Sequence, residues 1–262
     1  MESMPFTISH AAAALPFRRT RLVMSALVFG CVAPDLEYFL WLRPHGHFGH
    51  TLPGLVLFDL PAALLSLFLF HRFAKAPLVA CLPARLRERL RNGDRVARRS
   101  FSWFVLVCVS ILIGSATHIL WDSFTHTDYW LGRNWSFLRL NVHVPVFGFR
   151  DWAAILQYLS SVFGMVAILW WFVQWYRNTP PVHSETDRPD VTWRDRWVVA
   201  GSFVAAILAG CVRSAFVGLP HGVHGFQRFL TDASITAISV FCIEILIYGF
   251  LHNRFESESE PA

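Results

Sequence analysis

Long apolar runs, each near the length that crosses a lipid bilayer, constrain this chain more than any other feature. Such a run needs about 20 residues as an α-helix to cross roughly 30 Å of hydrocarbon. Six segments meet this description, at roughly 21–42, 52–72, 103–124, 153–176, 198–219 and 233–252. The sequence therefore predicts an all-α, polytopic helical membrane protein with about six transmembrane segments.

The composition agrees with a membrane protein. Of the 262 residues, 54% are hydrophobic and only 16% are charged, whereas soluble domains carry roughly 25% charged residues. The formal net charge of +5 does not indicate nucleic-acid binding, because the arginines concentrate in short loops where they set topology. The five cysteines have no paired spacing, so we expect them to be buried apolar residues.

The first apolar segment differs from the others because Pro34, Asp35 and Glu37 interrupt it. A proline inside a helix removes a hydrogen bond and breaks or kinks the helix. We therefore expect a first segment that is broken, re-entrant or only partly inserted. We expect no cleavable signal peptide before it, since no basic-then-apolar order precedes a small-residue cleavage site.

The loop between the second and third segments predicts the orientation. Residues 72–99 hold nine basic and two acidic residues, and loops of this kind stay in the cytoplasm. Six spans then leave both termini inside. We expect one helical membrane domain over residues 1–252, followed by a polar, acidic, disordered tail over 253–262.

A polar stripe at the end of the third segment is the strongest functional signal. His118, Asp122 and His126 recur every four residues, so a helix places them on one face. Two imidazoles and a carboxylate are a common ligand set for a catalytic divalent metal. Ionisable residues are costly within a membrane, which makes a chance cluster less attractive than a metal site.

Topology brings further candidates to the same membrane face. Asp35 lies near the outer end of the first segment, and Glu37 is a candidate general base if the backbone turns there. In the following loop we favour His50, which directly precedes the second span, over His47; His45 is expected to face solvent. The outer face would collect these residues: His45, His47, His50, His118, Asp122, His126, His143, His221 and His224. His221 and His224 have ligand-like spacing, but loop histidines are more often solvated.

His10 lies before the first segment, and strict topology places it on the opposite face. A second geometry brings it to the site. If residues 5–16 form a re-entrant half-helix, His10 lies about 12 Å from Arg18, and Asp35 about 21 Å from Arg21, at ~1.5 Å per residue. The residues alone leave both geometries open.

Charged residues within the spans need partners. Asp59 and Arg213 fall at similar depths in the second and fifth spans. We expect a buried ion pair between them, because pairing offsets the loss of hydration.

Four motifs carry a resemblance to a known family. They are MPFTISHAAA (4–13), APDLEYF (33–39), GHTLPG (49–54) and THILWDSFTH (117–126). In this order they resemble an uncharacterised bacterial multi-pass membrane family, the domain of unknown function four-one-eight-four. The order is also similar to the YdjM-like membrane-bound metal-dependent hydrolases, which resemble the zinc-dependent phospholipase C fold.

The resemblance implies a bacterial inner-membrane location and a ligand set for the metal. In this sequence the implied ligands are His10, Asp35, His50, His118 and Asp122. Glu37 stands where a second aspartate would follow Asp35, which leaves the number of ligands and metals open.

Two functions fit this sequence. The first is a metal-dependent hydrolase of phosphoester or lipid-like substrates, in which the ion activates water and Glu37 or Asp122 accepts a proton. Zinc suits His and Asp ligands best, while manganese or iron also accept mixed donors. The second is a non-enzymatic transporter or a structural, ion-binding component. Membrane lipid is the expected partner in either case.

Overall fold

A computed structural model describes residues 7–44, 46–91, 100–144, 148–181 and 193–259. Helices dominate this part of the chain. After an N-terminal 3₁₀ helix (Thr7–Arg19), the α-helices in chain order are α1 (Met24–Val32), α2 (Leu36–Trp41), α3 (Leu52–Ala80), α4 (Ala84–Arg91), α5 (Phe101–Thr125), α6 (Trp130–Asn134), α7 (Trp152–Asn178), α8 (Trp193–Val217) and α9 (Gly222–Ser259).

Three kinds of short element complete the fold. Single 3₁₀ turns lie at Ala33–Asp35 and Ser136–Arg139, and α3 contains π-helical turns at Leu55–Asp59 and Phe70–Ala74. One antiparallel hairpin pairs β1 (Asn141–Val144) with β2 (Gly148–Asp151). The prediction of an all-α membrane protein is confirmed, apart from this small hairpin.

Five stretches of helix are long and apolar enough to cross a membrane: Leu52–Ala80, Phe101–Asn134, Trp152–Asn178, Asp195–Val217 and Gly225–His252. Large apolar side chains point outward from them, with Leu57 68%, Phe163 74% and Phe216 88% exposed. A helix that is apolar all round suits lipid and not water. These helices correspond to the predicted second to sixth segments.

The first predicted segment is broken. It consists of α1, the 3₁₀ turn Ala33–Asp35 and α2, and the break occurs at Pro34. The N-terminal helix packs back along α1, where Ala14, Leu27 and Cys31 form a buried cluster. The two helices therefore form a hairpin whose turn carries Arg18, Arg19 and Arg21.

The chain divides into two compact units, each made of several segments. The first comprises residues 1–37, 45–64 and 99–172. In it α1 and α5 pack closely, because Gly30 and Gly114 lie at their contact and a side chain at either would meet backbone of the other helix. A second apolar cluster of this unit contains Leu131, Leu138 and Ala153.

The other unit comprises residues 38–44, 65–98 and 173–262. Its main feature is the pairing of α8 with α9, and its buried cluster contains Ala74, Val199 and Ile245. Helix α9 extends to Ser259, so helical backbone reaches into the segment predicted as a disordered tail. The division into a 1–252 domain and a tail stays a prediction.

Candidate metal centre

Five buried side chains meet at one place in the first unit. His10 comes from the N-terminal helix, Asp35 from the turn after α1, His50 from the loop before α3, and His118 and Asp122 from the last turns of α5. All five are at most 7% exposed. The hairpin of the N-terminal helix and α1 brings both His10 and Asp35 to the same end of α5, so the re-entrant geometry for His10 is the one observed.

Four donor atoms of this cluster are spaced like the ligands of one ion. His50 Nε2 lies 3.4 Å from Asp35 Oδ1 and 3.3 Å from Asp122 Oδ2. His118 Nε2 lies 3.6 Å and 3.2 Å from the same two oxygens. In a tetrahedral site with bonds of about 2.1 Å, neighbouring donors lie about 3.4 Å apart. These four distances match those between neighbouring ligands of a divalent ion.

His10 approaches the other oxygen of Asp122. Its Nε2 atom lies 3.6 Å from Asp122 Oδ1, and its ring stacks on His118 with centroids 4.0 Å apart. Two overlapping groups of donors result, one of His10, His118 and Asp122 and one of Asp35, His50 and His118, each with its ligand atoms within 4.8 Å of one another. His10 is thus placed as a fifth ligand or as a ligand to a second ion.

Several buried polar atoms of the cluster also lack, within the described part of the chain, the hydrogen-bond partners that such atoms need. Both oxygens of Asp35, Oδ1 of Asp122 and Nε2 of His118 are buried without a hydrogen-bond partner among the described residues. The close contacts between these atoms do not have hydrogen-bond geometry. Leaving one buried polar group unsatisfied costs about 1–3 kcal/mol, and a divalent cation bound between Asp35 and His118 would lower this cost.

The backbone of α1 sets the orientation of His118. Its Nδ1–H donates to the carbonyl oxygen of Cys31 at 2.7 Å, which leaves the lone pair of Nε2 facing the cluster. Next to it, Ser115 donates its hydroxyl to the Gly30 carbonyl at 3.1 Å. Two side chains of α5 are therefore fixed by the end of α1.

His10 and His50, the two histidines of the cluster that lie outside the spans, differ in charge state. Burial, together with the neighbouring His118 ring, lowers the pKa of His10 to about 4. Burial also acts to lower the pKa of His50, but the adjacent carboxylates of Asp122 and Asp35 outweigh it and raise this pKa to about 10. In the absence of metal His10 is therefore neutral at pH 7, while His50 carries a proton between two carboxylates.

Glu37 and His126 lie beside the donor groups and outside them. Glu37 is buried, and its Oε2 atom accepts a hydrogen bond from the Phe48 N–H at 3.2 Å, which holds the loop that carries His50. Helix α5 ends at Thr125, so His126 is not helical, and its Nδ1 lies 3.9 Å from Asp122 Oδ1. The role of Glu37 as a general base stays a prediction.

The remaining histidine candidates lie elsewhere. His47, His143 and His221 are exposed and belong to neither donor group, and His221 bonds the carbonyl oxygen of Leu219. His45 and the side chain of His224 lie outside the described residues.

Asp59, for which the sequence predicts an ion pair with Arg213, lies near the cluster without belonging to either donor group. Its side chain is fully buried, and neither oxygen has a hydrogen-bond partner among the described residues. It acts electrostatically on His50, His118, Glu37 and Asp35, and Arg213 donates to Thr236 at 3.2 Å. The predicted Asp59–Arg213 ion pair would join residues of the two units and stays a prediction.

One comparison with known proteins gives a match. A family described as "Domain of unknown function (DUF4184)" matches residues 4–250. No curated protein and no solved structure matches the chain.

Proposed function

The chain belongs to the DUF4184 family, and we propose that it is a membrane-embedded, divalent-metal-dependent hydrolase of phosphoester or lipid-like substrates. The spacing of the four donor atoms from Asp35, His50, His118 and Asp122, at 3.2–3.6 Å, carries this proposal. Two imidazole and two carboxylate donors at tetrahedral spacing suit zinc, while manganese or iron also accept mixed N/O ligands.

In the proposed hydrolysis, different side chains of the cluster bind the metal and accept the proton. When bound, a divalent ion supplies Lewis acidity toward a phosphoryl or acyl oxygen and makes water more acidic. Asp122 has one oxygen toward His50 and His118 and the other, Oδ1, toward His10. Because Oδ1 has no hydrogen-bond partner among the described residues, we expect it to accept the proton of an attacking water. Glu37 is the alternative base, although one of its oxygens already accepts the Phe48 N–H.

The position of the cluster supports an amphiphilic substrate. His118 and Asp122 lie within the last turns of α5, a helix long enough to cross a membrane. The cluster would then lie near the boundary between hydrocarbon and headgroups, where the ester and phosphoester bonds of lipids are found. We place the protein in a bacterial inner membrane with the 72–99 loop in the cytoplasm and the cluster on the outer side.

This orientation has a consequence for the N-terminus. His10 meets Asp122, so the N-terminal helix begins on the face that holds the cluster. A cytoplasmic N-terminus and an outer cluster are therefore incompatible predictions. We retain the outer cluster, because the basic loop before α5 supports it, and propose that the N-terminal helix enters from the outer face.

Metal analysis of the purified protein tests the site. We expect stoichiometric metal in the wild type, retention in His143→Ala, which removes an exposed histidine outside the cluster, and loss in His118→Ala and Asp122→Ala. Circular dichroism and gel filtration establish that each variant is folded. Absence of metal from folded wild type after incubation with zinc, manganese or iron would overturn the proposal.

Hydrolysis assays separate an enzyme from an ion-binding component. The metal-loaded wild type is tested on phospholipid and soluble phosphoester panels, with the Asp122→Ala variant as the control for contaminating activity. Turnover that requires both metal and Asp122 supports a hydrolase. Stoichiometric metal without turnover on any substrate would support the ion-binding alternative.

A further inference from the structure

Asp59 is a buried carboxylate near the metal centre to which the proposed hydrolysis gives no role. It lies in the apolar helix α3, at the end of the π-helical turn Leu55–Asp59, and its side chain is fully buried. Neither of its oxygens has a hydrogen-bond partner among the described residues. Ionisable residues within a membrane are costly and usually functional, and a buried polar group without a partner requires an explanation, such as a nearby ion.

The π-helical turn places Asp59 where the elements that carry the metal ligands meet. This turn packs against the 3₁₀ turn Ala33–Asp35, which carries one ligand, and against α5, which carries two. A Cβ atom at Gly49 would lie 3.1 Å from Asp59 Oδ1 and 2.8 Å from the Pro34 carbonyl oxygen. The residue before His50 is therefore held between Asp59 and Pro34. Single π-helical turns within α-helices are frequent at functional sites.

His50 is the ligand most closely associated with Asp59. Among the ionisable groups that act on Asp59, His50 has the largest effect, and His118 follows. The Nε2 atom of His50 faces Asp35 and Asp122 at 3.4 Å and 3.3 Å. Metal-binding histidines are commonly supported by a carboxylate that is not itself a ligand, and loss of this carboxylate weakens metal binding. Asp59 has the burial and the position of such a group.

The effect of Asp59 on a bound ion would be electrostatic. Asp59 belongs to neither group of donor atoms that lie within 4.8 Å of one another, so a direct bond to the same ion is not expected. An ionised carboxylate in a site that excludes water attracts a cation much more strongly than one in water, because little solvent screens its charge. The carboxylate therefore favours binding of a cation in the cluster.

We propose that Asp59 is an outer carboxylate of the metal centre, which strengthens divalent-metal binding through its negative charge without being a ligand itself. This inference rests on the proposed metal centre and does not depend on the proposed hydrolysis. In the metal-free protein the same carboxylate lowers stability, because it is buried without a hydrogen-bond partner among the described residues. Asp59 thus has opposite effects on stability and on metal affinity.

Cobalt(II) titration of the full-length protein in detergent tests the proposal. The visible spectrum of bound cobalt(II) reports the ligand geometry, and its growth during the titration gives the affinity. Asp59→Asn keeps the shape of the side chain and removes its charge, so we expect affinity about 10- to 100-fold below the wild type with an unchanged spectrum. Asp232→Asn removes a buried acidic residue of the other unit and is the matched control, which should bind cobalt(II) like the wild type.

Asp59→Leu separates an effect on metal binding from an effect on folding. It replaces the carboxylate with an apolar group of similar volume, so the melting temperature of the metal-free protein should rise by at least about 2–4 °C. Affinity for cobalt(II) should fall as in Asp59→Asn. The predicted ion pair with Arg213 gives the opposite expectation, since Asp59→Leu would leave the other charge unpaired within the membrane. A melting temperature below that of the wild type would therefore overturn the proposal.

The remaining outcomes distinguish failure of this inference from failure of the metal centre. Wild-type affinity in folded Asp59→Asn would overturn the role of Asp59 alone. A changed cobalt(II) spectrum in this variant would make Asp59 a ligand and would also overturn the proposal. Absence of cobalt(II) binding by the folded wild type would overturn the metal centre, and the role of Asp59 with it.

Discussion

The contact between α1 and α5 allows a direct test of the metal site. It fixes the positions of the ligands Asp35 and His118, although the glycines at the contact are not ligands themselves. A Cβ atom at Gly114 would lie 2.8 Å from Cys31 N and 2.9 Å from Gly30 Cα. For Gly114→Ala, ordinary van der Waals contact at about 3.4 Å requires α1 to retreat by at least about 0.6 Å. Metal–ligand distances tolerate only about 0.2 Å.

The expected loss is in metal affinity as well as in stability. Retreat of α1 moves the Cys31 carbonyl, which accepts the His118 Nδ1–H at 2.7 Å, and carries Asp35 away from His118. Loss of such an outer hydrogen bond typically weakens metal binding 10- to 100-fold, or about 1.4–2.7 kcal/mol. Overpacking should also lower the free energy of unfolding by about 1–3 kcal/mol.

Metal competition titration with a chromophoric chelator measures the affinity in detergent. Gly201→Ala is the matched control, because a Cβ atom there meets nothing within 4 Å in an apolar helix. Ser115→Ala removes the bond to Gly30 without adding bulk and gives a milder perturbation if Gly114→Ala fails to fold. Folded Gly114→Ala with wild-type affinity would refute the argument that the α1–α5 distance sets the metal site.

Three further predictions follow from the site and the topology. Because the pKa of His50 is raised to about 10 and that of His10 is lowered to about 4, a metal ion must displace at least the His50 proton at neutral pH, and apparent affinity should rise at least about tenfold per pH unit between roughly pH 6 and 8. An affinity independent of pH would contradict the charge state of His50. In Glu37→Gln the amide oxygen still accepts the Phe48 N–H, so metal content should stay at the wild-type level. Turnover should fall by about 10²–10⁴-fold if Glu37 is the general base. Full turnover would instead indicate that Asp122 accepts the proton. A fluorescent protein fused after residue 262 should be fluorescent, because the predicted orientation puts this end of the chain in the cytoplasm. Activity of alkaline phosphatase fused there would show the opposite orientation.

The fold was predictable where length and composition decide it. Apolar runs of about 20 residues allow little besides a membrane helix, and the second to sixth segments form such helices. The break in the first segment was also predictable, since Pro34 cannot donate a backbone hydrogen bond. The β-hairpin at Asn141–Asp151 was not predicted, because its strands of four residues carry too little pattern.

The candidate site was predictable from spacing only in part. His118 and Asp122 share a helix face at i and i+4, and they do face one cluster. His126 has the same spacing, but the helix ends one residue before it, and local sequence does not give helix ends to within a turn. The approach of His10 depends on the hairpin of the N-terminal helix and α1, a tertiary arrangement that residue spacing leaves open.

Asp59 shows why partners of buried charges are hard to assign from sequence. Depth along two helices made Arg213 a candidate partner, but depth says nothing of the direction that each residue faces around its helix. The π-helical turn Leu55–Asp59 adds a residue to that turn of α3 and so rotates the following side chains relative to a regular helix. The carboxylate of Asp59 then lies against Gly49, next to His50.

The hairpin of the N-terminal helix and α1 also has a consequence for biosynthesis. Asp35 leaves the ribosome 87 residues before Asp122, and His10 leaves it 112 residues before, a delay of roughly 4–22 s at about 5–20 residues per second. During this interval the hairpin has no complete transmembrane segment of its own and lacks α5, its main packing partner. The nascent chain cannot bring the five candidate ligands together until α5 has been inserted, so binding of a metal by all five would have to follow insertion of α5.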